Sequence, residues 1–163
     1  MDKLVEQLVL ILENELAIYE KINQLAEEKK GTIIDGKVKE LELLTEKEQT
    51  FTRSLIKLET LRSKTVDQLM QKYGLVEIEN VTDLIEYMGP EGKAAVSKMK
   101  DQILGVVDEL QSKNDKNKIL IEQSLEFIDF NMELLTAVGD NANYGSDADD
   151  KDKEKRSIFD VRV

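Results

Sequence analysis

The side chains able to do chemistry in this chain are amides, hydroxyls and carboxylates, and their spacing suits recognition better than bond-breaking. Counting by threes and fours from Leu110 reaches Asn114, Asn117, Ile121, Ser124, Ile128, Asn131 and Leu135. On a helix these positions share one stripe. Aliphatics on such a stripe exclude water, while the amides and the hydroxyl can bond to a partner. An amide buried without a partner costs roughly 1–3 kcal/mol, so the stripe is better suited to a face that stays wet until another chain arrives. One asparagine in a helical seam is enough to fix register, and here there are three. A slight rotation of the helix would turn Asn114 and Asn117 to solvent and leave Ser124 and Asn131 as the notches.

Catalytic chemistry is poorly provided for. The chain has no histidine and no cysteine, which removes imidazole bases, thiol nucleophiles, disulfides and the usual zinc ligand sets. A carboxylate-only metal or glycosidase-type site needs acids gathered in one place. The 34 Asp and Glu residues instead fall at scattered, solvent-facing helical positions. No GxxxxGK[ST] loop is present to hold a nucleotide. The expectation is a protein that is not an enzyme and takes no cofactor. A net charge of −11 repels nucleic acid and anionic lipid alike. No stretch approaches the ~20 apolar residues of a membrane span. The acidic start "MDKLVEQLVLILENEL" does not read as a signal peptide, and the expected location is the cytoplasm.

The elements that must position the notched stripe are helices. Charged residues make up 35% and aromatics only 5%, with a single proline, Pro90, a profile that fits long helices and not a sheet. Residues 2 to about 30 read as a first helix capped by Asp2, with a wide apolar face of Leu4, Leu8, Ile11, Ile18, Ile22 and Leu25 and a stop at Gly31. A second helix is predicted over 37–73, ending at Gly74, with Glu48 and Arg62 interrupting its stripe as wet stretches of an extended bundle. "NVTDLIEYMGPEG" predicts a one- or two-turn helix capped by Asn80 or Thr82, covering one end of the bundle. Pro90 then opens a third long helix over about 91–138, with Gly139 as its end.

The sum is an all-α chain: an elongated antiparallel hairpin or bundle of three long helices over 1–139, with a short connecting helix. Residues 140–163, "DNANYGSDADDKDKEKRSIFDVRV", carry too few apolar groups to offset about 1–2 kcal/mol of backbone ordering entropy per residue. They read as a disordered acidic and basic tail. Ile119, Leu120, Leu125, Phe127, Phe130, Met132 and Leu134 spread apolar groups around the last helix. Residues 1–73 can cover only part of that circumference. The excess predicts either an exposed interaction site or burial in a homodimer or fuller bundle. A permanent, self-associating coiled-coil scaffold is the second reading; it predicts a dry seam and a stable oligomer.

The segments "LVLILENELAIYEKINQLAEEKKGTIIDGKVKELELLTEKEQTF" and "NKILIEQSLEFIDFNMELL", followed by "NYG", resemble the flagellar export chaperones of the FlgN type. That resemblance implies a chaperone domain over 1–139 that binds the C-terminal helical region of the hook-associated junction proteins FlgK and FlgL. It further implies that the chain prevents their premature assembly and delivers them to the flagellar type III export gate, where FlhA is the docking partner. By the same resemblance, cargo lies along Ile121, Leu125, Ile128, Met132 and Leu135, joined by Asn114, Asn117, Ser124 and Asn131 of the notched stripe. Tyr144 is the aromatic that matches gate docking.

Overall fold

The computed structural model describes residues 1–78 and 80–143, with backbone alone for 141–143. The chain is all-α: α1 (Lys3–Ile34), α2 (Val38–Tyr73), α3 (Val81–Ile85) and α4 (Pro90–Asn143). It divides into two units, Met1–Ser124 and Leu125–Val163, so α4 contributes to both.

In the first unit, Asp2 caps α1 by accepting a 3.1 Å hydrogen bond from the Leu4 amide. The Lys72 ammonium pairs with the same carboxylate and, with that amide, holds its pKa below the usual value. Val5, Leu8, Ile11, Leu12, Ile22, Leu25, Ala26 and Ile33 recur at helical spacing and are buried. The helix does not stop at Gly31. It runs one turn further because Ile33 has a buried slot, worth roughly 1.5–3 kcal/mol, against about 1 kcal/mol for a mid-helix glycine. Gly36 supplies the left-handed C-terminal turn at φ 67°. The Lys37 amide bonds to the Thr32 carbonyl at 3.1 Å and the Gly36 amide to that of Ile33 at 3.2 Å, the paired bonds of a Schellman ending. Gly74, at φ 68°, closes α2 in the same way, with Leu75 bonded to Met70 and Gly74 to Gln71.

The tight turn at 35–37 returns α2 antiparallel to α1. Three ion pairs mark the register: Lys29 with Glu48, Glu15 with Arg62, and Asp2 with Lys72. Glu48 and Arg62 are therefore cross-helix partners, where the stripe alone suggested wet interruptions. Lys21 also stands 5.7 Å above the Phe51 ring.

Asn80 begins α3 with a capping box, accepting from the Thr82 amide while the Asp83 carboxylate accepts from the Asn80 amide. A five-residue helix has no stability of its own. Burial holds it: Leu84, Ile85 and Met88 join Val5, Leu8, Leu12, Leu69 and Val96 in one core cluster. Tyr73 and Tyr87 stack beside it with ring centroids 6.3 Å apart. As predicted, the small helix closes one end of the bundle.

The α4 residues of this unit run parallel to α1. Met1 pairs with Glu91, Asn23 with Glu109 and Glu27 with Lys113, the partner numbers rising together. Gly92 permits a close approach, since a Cβ there would stand 2.8 Å from Val5 Cγ1. α4 also runs through Gly139 to Asn143, four residues past the end read from sequence; an isolated glycine weakens a helix without terminating it.

Glu15 is a buried carboxylate, and burial raises its pKa above 4.5, the Arg62 guanidinium at 3.5 Å lowering it and Glu59 raising it. The Tyr19 hydroxyl is pushed up too, by burial first and by Glu15 next. Ionised Glu15 therefore weighs on the fold above its raised pKa and is relieved as pH falls toward 4.5. Replacing Arg62 by Met removes the compensating charge. We expect a loss of about 1–2 kcal/mol at neutral pH, discounted from a fully buried pair because Arg62 is partly solvated. Urea melts at pH 7 and pH 4.5 should show the gap to the unsubstituted chain narrowing at the lower pH; a constant gap would remove Glu15 as the cause.

Candidate interaction surface

The notched stripe does not survive as one uniform face. In the first unit Asn114 is exposed, whereas Asn117 is only 6% exposed, and its Nδ2 donates a 2.8 Å hydrogen bond to the Ala26 carbonyl of α1. Ala26 is buried and small, so the amide can reach a second lone pair of a helical carbonyl. Asn117 is thus a strut of the bundle and not an open recognition group. Ile121 is 39% exposed. With Ile33, Leu41 and Asn114 it lines a groove of about 460 Å³ rimmed by Lys29, Glu48 and Lys118. Ser124 is half-buried and donates to the Leu120 carbonyl four residues back, so its hydroxyl is taken up within its own helix.

In the second unit the stripe continues along a helix dominated by exposed apolar groups. Leu125 is exposed, Ile128 is 51% and Leu135 68% exposed; Asn131 and Met132 are half-buried. Phe127, Phe130, Leu134 and Val138 are between 48 and 67% exposed. The first three belong to the apolar excess expected from sequence; Val138 was missed there, though its spacing from Phe127 and Leu134 carries the signal. Tyr144 lies outside the described residues.

Among the described residues no three acidic side chains stand together as a metal site, and no helix is long and apolar enough to cross a membrane. What the helix offers is apolar area in quantity. Large apolar groups exposed in such number on one helix of a small protein mark an interaction site.

A family model described as FlgN protein matches residues 1–151. The chain belongs to the FlgN family. It is therefore a flagellar export chaperone, of a family that binds hook-associated proteins. This FlgN-family chain is also similar to the uncharacterized protein YvyG of Bacillus subtilis (strain 168), at 25% identity over 148 residues, 90% of this chain and 91% of that one. No solved structure matches it.

Proposed function

We propose that this FlgN-family chaperone works in the cytoplasm and binds the C-terminal region of the junction proteins FlgK and FlgL through residues 125–138 of α4. Binding keeps those clients unassembled until they are delivered to the export gate protein FlhA. The observation that carries this reading is the exposure of Leu125, Phe127, Ile128, Phe130, Leu134, Leu135 and Val138 on one helix. A client segment that would otherwise polymerise has an apolar face of its own, and a helix of this kind covers it by the helix-to-helix mode of recognition. Half-buried Asn131 lies among these apolar groups and favours a reversible interface over a dry, permanent one. The resemblance of the "NYG" segment to the FlgN type is what supports Tyr144 as the gate-docking residue.

Light scattering on a sizing column tests the proposal. The free chain should shift to a defined complex on addition of a FlgK or FlgL C-terminal segment. A tight homo-oligomer indifferent to either segment would support the self-associating scaffold instead. Tyr144→Ala should leave that complex intact and reduce binding to FlhA; unchanged FlhA binding would remove the docking role.

A further inference from the structure

The exposed part of α4 has two apolar faces, not one. At about 100° per residue, Leu125, Ile128, Met132 and Leu135 share one strip, while Phe127, Phe130, Leu134 and Val138 share another roughly 140° away. Asn131 lies in the gap between them on one side. On the other side run Glu126, Asp129, Glu133 and Asp140, a narrow acidic row. The sequence holds no lysine or arginine between Lys118 and Lys151, so this row has no cation on its own stretch of helix. Like charges three and four residues apart weaken a helix, a burden that an incoming cation would relieve.

We infer that the client surrounds this helix with two amphipathic helices at once, one on each apolar strip, and turns lysine or arginine side chains toward the acidic row. The inference deepens the proposed function and rests on it. One packed neighbour covers a stripe of roughly 100°, too little to reach both strips, and burying only one would leave two phenylalanines in water. The charge argues against a second copy of this chain as the occupant. A second α4 could fill an apolar strip, but it would add a further acidic row with no cation to meet it. A client with basic edges satisfies both features.

Two variants test this against the C-terminal segment of a hook-associated protein, fluorescently labelled and titrated at about 50 mM and about 500 mM salt. Phe127→Ser/Phe130→Ser takes both phenylalanines from the second strip, leaves the first intact and should weaken binding about tenfold or more. Glu126→Gln/Asp129→Asn/Glu133→Gln keeps shape and removes charge. It should weaken binding severalfold at low salt and flatten the salt dependence seen with the unsubstituted chain. Circular dichroism checks that both variants keep their helix, and Phe127→Leu/Phe130→Leu should restore most of the affinity. Binding indifferent to the serine pair, or equally salt-dependent after neutralisation, overturns the two-sided client while leaving the proposed function standing. Failure of the unsubstituted chain to bind overturns both.

Discussion

Replacing Leu125 and Ile128 together by Asp should weaken client binding by about 100-fold or more and leave the fold of the free chain nearly unchanged. Each residue is more than half exposed, so the free protein loses little: two aspartates on an exposed helix cost about 0.5–0.7 kcal/mol each in helix propensity. The bound state loses much more. Central apolar anchors of an interface commonly contribute 2 kcal/mol or more each, and a carboxylate forced against the client's apolar strip must also be stripped of water. Titration of a hook-associated C-terminal segment, with circular dichroism alongside, separates the two effects. Collapse of helicity would place these side chains in the protein's own core; unchanged affinity would move the site elsewhere.

Leu69→Ala should have the largest effect on stability. Leu69 is fully buried, at 0% exposure, where α1, α2, α3 and the start of α4 meet in one cluster. Truncating a leucine in such a site costs about 2.7–5 kcal/mol, the spread reflecting how far the cavity collapses. That is a large fraction of the roughly 5–15 kcal/mol that holds a domain together. With a urea slope of about 1–3 kcal/mol per molar, the midpoint should fall by more than about 1 M. The short α3 should lose protection first, since burial alone holds it in place. Val76→Ala, at the nearly fully exposed Val76, should be close to neutral. A loss at Leu69 below about 1 kcal/mol would mean that the core does not lie at the α3 end.

The elements that could be read from sequence were those whose causes are local. The apolar spacing of α1 and α2, the glycine after Tyr73, the asparagine cap before Val81 and the proline opening α4 each act within a few residues, and the structure has them where expected. Gly31 misled because a glycine ends a helix only where the chain needs positive φ and the last carbonyls need donors; Gly36 meets both needs five residues later. Gly139 likewise lies within α4.

Long-range features were less legible. Glu48 and Arg62 look like flaws in a stripe until the 35–37 turn sets the register that brings Lys29 and Glu15 opposite them. Asn117 looked like a group awaiting a guest, but its rotation about the α4 axis depends on how α1 and α4 pack, including the close approach at Gly92. The apolar excess of the last helix was legible because it is a matter of quantity: there were more large aliphatic and aromatic groups than two helices could cover.

Hydrogen exchange on the full chain, free and saturated with a FlgK or FlgL C-terminal segment, tests the central claim most directly. Amides of 125–138 should exchange fast in the free chain and become strongly protected in the complex, while the core cluster around Leu69 and Leu84 stays unchanged. Equal protection of 125–138 in both states would mean that the helix has no uncovered face to offer, and the chaperone reading of this surface would fail.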